Sequence, residues 1–279
     1  MNELWYQFRK NKIALAALCL IAVLALAAIF ATLIAPYDPF EMSMEDMLSG
    51  PSATHWFGTD QFGRDLLSRI LYGARISFKV GLISVSIALG AGVIIGVIAG
   101  FFGSWIDLLL SKVIEVLFAF PDIFMALVIM SILGASITNL MIAIGIVYTP
   151  IFARIARGAV LEIKGALFIE VARSIGVNKW NIIKRHILPN ILAPLIVQTT
   201  LSLAFAILSE AALSFLGLGV EPDTPSWGIL LNEGKDWMEM AWWLAVFPGV
   251  AITLAVLSFN LMGDGLRDAL DPKMRNLNE

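Results

Sequence analysis

The segment Glu170-Val171-Ala172-Arg173-Ser174-Ile175-Gly176, followed by His186-Ile187-Leu188-Pro189, decides how this chain is read. It is polar, marked by Gly and Pro, and set between two long apolar runs. Arg154, Arg157, Lys164, Arg173, Lys179, Lys184 and Arg185 crowd in or beside it. Lys and Arg resist translocation, so a basic loop between apolar runs is expected in the cytoplasm. Gly165 to Gly176 reads as a short helix, with Leu167, Ile169 and Val171 apolar and Glu170 and Arg173 three apart on one face. Gly176 suits a helix C-terminus, where a left-handed residue costs little. Asn178 is a plausible N-cap for a second helix, Lys179 to His186. Pro189 is expected to stop that helix just ahead of the next span. The product is a helix–Gly–helix elbow across the cytoplasmic face, tied at both ends to apolar spans and able to transmit force. From spacing alone, an ordered interfacial loop without a partner remains the alternative.

The composition gives the setting. Of 279 residues, 59% are hydrophobic and only 15% charged, and the mean hydropathy is +0.84. A soluble domain cannot bury that much apolar surface, so the class is all-α integral membrane. The net charge of -3 gives no sign of nucleic acid as a partner. The single cysteine, Cys19, allows neither an internal disulfide nor a Cys-based metal site. Arg9, Lys10 and Lys12 precede the apolar run Ile13–Ala35, which at about 23 residues is too long for a signal-peptide core of roughly 7–15. It reads as a retained helix.

A spanning helix needs roughly 20 apolar residues. Six stretches qualify: Ile13–Ala35, Phe78–Phe102, Leu108–Leu133, Ile137–Ala156, Ile191–Leu216 and Trp243–Met262. With the N-terminus inside, 14 of the 19 Lys and Arg residues fall on the inner side, Lys112, Arg267, Lys273 and Arg275 among them. That bias predicts an N-in, C-in topology. Arg64, Arg69, Arg75 and Lys79 run against it. They share their segment with Asp60 and Asp65, and an amphipathic helix lying at the interface is the expectation there. The organisation expected is a cytoplasmic N-terminal segment (1–12), a first span (13–35), an extracytoplasmic loop (36–77), a five-span core (78–265) carrying the elbow at 161–190, and a cytoplasmic tail (266–279). The last outer loop holds Pro222, Pro225 and Trp227. Its Trp242-Trp243 pair fits an interfacial aromatic belt.

The elbow resembles the EAA loop of binding-protein-dependent ABC importer permeases, pattern E-A-A-x3-G-x9-I-x-L-P. Glu170, Ala172, Gly176, Leu188 and Pro189 fall in register, while Val171 and His186 depart from it. The His-Ile-Leu-Pro-Asn form is similar to the dipeptide/oligopeptide/nickel branch. Further matches to that branch run in order: His55 to Asp60 with Gly63-Arg64-Asp65, Gly73 to Ser77, Glu115 with Phe118-Ala119-Phe120-Pro121, Leu213 to Gly219, Pro225 to Gly228, and Phe259 to Asp264 with Leu266 to Pro272. They cover nearly the whole chain and resemble the C-type permease subunit.

The resemblance implies a type I ABC importer permease fold in a prokaryotic inner membrane. It implies a homologous second permease, one or two cytoplasmic ATP-binding subunits, and an extracytoplasmic substrate-binding protein as partners. It implies di- or oligopeptide import, with nickel, glutathione or another small solute as the alternative. Glu170, Ala172, Arg173, Gly176, Leu188 and Pro189 would couple to the ATPase, whose ATP and Mg²⁺ would be bound by the partner subunits and not by this chain. The nearest approach to a phosphate loop, Gly228 to Gly234-Lys235-Asp236, has the wrong spacer and an Asp where Ser or Thr should bind Mg²⁺, which agrees with a chain lacking its own ATPase site.

Within the spans, Glu115, Asp122 and Glu210 are ionisable, and such groups tend to face a cavity or pathway. The alternative for each is a capped or hydrated helix end, and Glu115 lies only about seven residues from the start of its span. Pro121 is expected to kink its helix, and Asn260 to hydrogen-bond across helices. These five are the candidate pathway or gating positions. Gly92, Gly96 and Gly100 recur on one face and permit close helix approach, within this subunit or against the second permease. His55 and His186 fall on opposite sides, so no shared metal site is expected and no catalytic residue is assigned. Two other classes stay open: an ATP-independent transporter, which would want repeats and midplane ions, and a membrane scaffold.

Overall fold

The computed structural model describes residues 2–219, 221 and 224–270, which form an all-helical chain with no strand among them. Pro222, Lys273, Arg275 and most of the 266–279 tail lie outside the described residues. The helices are α1 (Asn2–Lys10), α2 (Lys12–Ile29), α3 (Ala31–Ile34), α4 (Leu66–Phe102), α5 (Ser104–Phe118), α6 (Asp122–Leu133), α7 (Ile137–Ile163), α8 (Leu167–Ser174), α9 (Lys179–Ile182), α10 (Leu188–Phe215), α11 (Trp227–Lys235) and α12 (Trp243–Leu270). A π-helical turn, Ile183–Ile187, joins α9 to α10.

Among the described residues five helical stretches are long and apolar enough to cross a membrane: Lys12–Ile29, Leu66–Phe102, Ile137–Ile163, Lys179–Phe215 and Trp243–Leu270. The expected span Leu108–Leu133 is not one straight helix. It is α5 and α6, which meet at 92°. Pro121 explains the break. It has no N–H to give to a helical bond and it disfavours helical backbone at Phe120. Its own ψ of 136° is extended. Counted as one broken span, the pair makes six.

The start of α4 also differs from expectation. The helix begins at Leu66, inside the segment 36–77, and runs unbroken for 37 residues. Asp65 caps it, accepting from the Ser68 N–H at 2.8 Å. So 64–79 is not a separate amphipathic helix on the membrane surface. Its charges are partly internal: Asp60, Arg64 and Arg69 are 2%, 4% and 1% exposed. Asp60 accepts from Arg64 Nε at 2.6 Å and pairs with Arg69. Glu233 on α11 accepts from Arg69 Nη1 at 2.7 Å. Two arginines meet two carboxylates, so two of the five outer cations are engaged in ion pairs inside the protein.

The loop before α4 is packed. Trp243 and Trp227 donate their indole N–H groups to the Thr59 and Ile70 carbonyls at 3.1 and 3.0 Å. His55 Nδ1 lies 2.9 Å from Asp65. The core divides in two. One cluster joins α4, α6, α7 and α10 and reaches into the elbow through Ile169, Ala172, Ile182, Ile183 and Ile187. The other joins α2, α4, α10, α11 and α12 around Trp227 and Phe259. The glycine stripe faces α7 within this chain: a Cβ on Gly92 would lie 2.5 Å from Phe152 Cβ and 2.7 Å from the Thr149 carbonyl oxygen.

Candidate functional site

The elbow is built as follows. Helix α8 is short because Gly176 ends it, at φ +77°. The Gly176 N–H donates to the Arg173 carbonyl and the Val177 N–H to the Ala172 carbonyl, both at 3.0 Å. This paired return is a Schellman ending, and its usual apolar contact is present, since Val177 packs on the cluster that holds Ile169 and Ala172. Asn178 then caps α9, its side chain accepting from the Trp180 N–H at 3.0 Å.

Pro189 does not stop the second helix. Lys179–Phe215 runs through it as one stretch. A proline ring inside an α-helix clashes with the carbonyl four residues back and removes one N–H. Here the π turn absorbs both problems: the Leu188 N–H donates to the Ile183 carbonyl, five residues back. The wider turn makes room for the ring, and the elbow joins its span without a hinge.

The elbow is also pinned to the cytoplasmic end of α4. The Arg173 guanidinium lies 5.4 Å from the Phe101 ring centre and Lys179 Nζ 5.8 Å from that of Phe102. Lys164 Nζ donates to the Gly100 carbonyl at 3.1 Å. Beside the elbow, Arg157 of α7 grips Asp107 of α5 with two hydrogen bonds, 2.5 and 2.8 Å. Arg173 therefore faces an aromatic ring and makes no ion pair with Glu170 among the described residues. Buried Ile169 and Ala172 hold α8 to the core, while Leu167, Val171 and Ile175 are 75, 50 and 75% exposed. Spaced four apart, these three form an apolar stripe on the outward face of the elbow. Glu170 is exposed beside them, and Leu188 and Pro189 lie after the π turn, half-buried and exposed. Sequence reading had not singled out this stripe, although the spacing of the three residues carried the signal.

The five expected pathway positions are not gathered into one site. Glu115 is exposed and bonds Lys112 at 2.7 Å. Pro121 and Asp122 sit exposed at the bend. Asn260 is half-buried and makes no side-chain hydrogen bond among the described residues. Glu210 is fully buried. It accepts from the Ser77 and Ser214 hydroxyls at 2.7 and 2.9 Å and so ties α10 to α4. We expect Glu210→Ala to destabilise the purified protein by about 1–3 kcal/mol, because buried hydroxyls lose their acceptor. Glu210→Gln should lose much less, since an amide oxygen still accepts. Thermal unfolding in detergent checks this. A fall in transport at unchanged melting temperature would instead place Glu210 on the pathway.

Residues 92–276 match the family described as binding-protein-dependent transport system inner membrane component, and residues 1–51 match the N-terminal TM domain of oligopeptide transport permease C. The chain is 48% identical to the dipeptide transport system permease protein DppC of Alkalihalophilus pseudofirmus, covering 99% of this chain and 90% of that one. It is 46% identical to the glutathione transport system permease protein GsiD of Escherichia coli, covering 98% and 91%. Among solved structures, an inward-facing form of the MetNI methionine ABC transporter superposes with TM-score 0.59 at 18% identity, over 74% of this chain and 98% of that one, which shows the shared fold. By its ordered motifs, its fold and these matches, the chain belongs to the inner membrane permease components of binding-protein-dependent ABC transport systems.

Proposed function

We propose that this chain is one of two homologous permease subunits of an ATP-driven importer of di- and oligopeptides. The elbow from Leu167 to Pro189 is its seat for a cytoplasmic ATPase subunit. One observation carries the coupling role: the exposed stripe Leu167, Val171 and Ile175 stands on a basic, water-facing segment. Apolar side chains held in water by a rigid frame fit a groove on another protein. ATP and Mg²⁺ are assigned to the ATPase subunits. A binding protein on the outer side would deliver substrate.

The mechanism follows from how the elbow is attached. Closure of an ATPase pair would move the seated α8. Buried Ile169 and Ala172 pass that motion to the core, and the unbroken Lys179–Phe215 stretch passes it to the far end of α10. Glu170 would orient the seat, and Gly176 would fix the angle between its two arms.

Glutathione, itself a short peptide, is the second reading of the substrate, supported by the relative at 46% identity. Uptake of labelled dipeptide, glutathione and nickel by cells lacking other importers separates the three. The coupling role is tested by replacing Cys19, placing a cysteine at Ser174, and co-expressing ATPase subunits with single cysteines in their membrane-facing groove. A crosslink whose yield changes with ATP is expected, and no crosslink in a folded, membrane-inserted protein overturns the role. Gly176→Val should lower ATP-driven uptake at least tenfold with membrane level preserved. A β-branched residue at φ +77° is strained by about 1–2 kcal/mol and would re-aim the arms. Glu170→Ala should lower uptake in the same assay. Unchanged uptake in both variants would sink the proposal.

A further inference from the structure

We propose that the groove between α2, α4, α10 and α12 binds one anionic phospholipid of the outer leaflet, its phosphate held by Arg75 and Lys79 and an acyl chain lying below them. The groove has a volume of ≈ 610 Å³. Its wall is apolar, with Ile21, Ala25, Leu82, Ile207 and Phe259 prominent, and Arg75 and Lys79 are the charged groups in its lining.

Position along the helix sets the depth. Phe102 ends α4 beside the basic elbow, on the cytoplasmic side. Lys79 stands 23 residues before it, about 35 Å away at ~1.5 Å per residue, and Arg75 one turn further. A hydrocarbon core of about 30 Å puts both cations at the level of the outer headgroups. The apolar wall lies at and below that level.

Charge supplies the second argument. Arg64 and Arg69, higher on the same segment, are buried and paired with Asp60 and Glu233. Arg75 and Lys79 are exposed and enter no ion pair among the described residues. The Arg75 guanidinium lies 5.9 Å from the ring centre of Tyr72. Two cations one turn apart, above an apolar cleft and at headgroup depth, match a phosphate ester with a hydrocarbon tail. A guanidinium can take two phosphate oxygens at once, and an ammonium a third. A second protein subunit is better served elsewhere, by the broader exposed apolar surface of α5 and α6 that carries Leu108, Val116, Phe124 and Ile132.

The test uses the assembled transporter, purified with its partner subunits. Native mass spectrometry would follow retention of phosphatidylglycerol against phosphatidylcholine with the same chains. The wild type should keep one phosphatidylglycerol with at least tenfold preference. The double variant Arg75→Gln/Lys79→Gln should lose the preference, and Ala25→Trp, which fills the groove, should lose both lipids. A photoreactive phosphatidylglycerol needs no variant and should label the Ile21–Ile29 and Leu82–Ile83 peptides. Equal retention of the two lipids, a preference untouched by the double variant, or labelling confined to other surfaces would each overturn the proposal. So would a high-yield crosslink from a cysteine at Ala25 to the partner permease, which would show protein in the groove.

Discussion

Asp60→Ala is expected to destabilise the protein by about 3–5 kcal/mol, the usual effect of stripping one partner from a buried ion pair. Asp60 accepts from the Arg64 N–H and Nε and from the Phe62 N–H, and also meets Arg69. Without it, Glu233 alone faces two guanidinium groups, one of them 1% exposed. The loop before α4 and the start of α4 would lose their common anchor. Most of the protein should then vanish from the membrane fraction, and the remainder should unfold at lower temperature in detergent. Adding Arg69→Met should recover part of the loss, because a neutral apolar side chain needs no counterion. A single variant that melts with the wild type would show that water reaches these groups.

Gly96→Leu should also be strongly damaging. A Cβ on Gly96 would lie 2.7 Å from Ala156 Cβ and 2.9 Å from the Arg157 backbone nitrogen, with the Ala153 carbonyl nearer still. Those atoms belong to α7, and backbone cannot step aside as a side chain can. The helices must separate along the whole stripe from Gly92 to Gly100. Overpacking a tight core costs about 1–3 kcal/mol, and occasionally more. In lipid, helix contact itself is the attraction, so spreading a small-residue interface removes it directly. Gly90→Leu is the control: it lies in the same helix, and a Cβ there would meet nothing within 4 Å. Membrane levels should collapse for Gly96→Leu and hold for Gly90→Leu. Equal levels would mean that α4 and α7 do not pack this closely.

Much of this fold was legible in the chain. Apolar run length gave the spans, because a segment in hydrocarbon must satisfy its own backbone and so leaves a long uninterrupted signal. Gly176 and Asn178 read correctly as an ending and a cap, since both act through local backbone geometry. Less legible was whatever depended on partners distant in sequence. Arg69 finds Glu233 across 164 residues, and nothing near Arg69 announces it. That is why the outer cations looked like a surface helix. Glu210 was open to both a pathway and a capped reading, because its serine partner Ser77 lies 133 residues away. Prolines misled in the other direction. Pro121 and Pro189 both promised an interruption, yet one sits at a bend of 92° and the other inside a continuous 37-residue stretch. The difference lies in the backbone: an extended residue at Pro121, a widened turn before Pro189.

The widened turn at Ile183–Ile187 also sets the angular phase of the chain. A π turn holds one residue more than an α turn, and each residue of helix is worth about 100° of rotation. Removing one residue there would take away the extra residue, and with it the room that the turn gives the Pro189 ring. It would also swing Asn178 and the arm before it about 100° around the axis of α10. A turn about that axis keeps the stripe of Leu167, Val171 and Ile175 at the same level but carries its arm off the end of α4, where Arg173 and Lys179 now meet Phe101 and Phe102. A single-codon deletion at this point would leave every contacting side chain present and misdirect all of them.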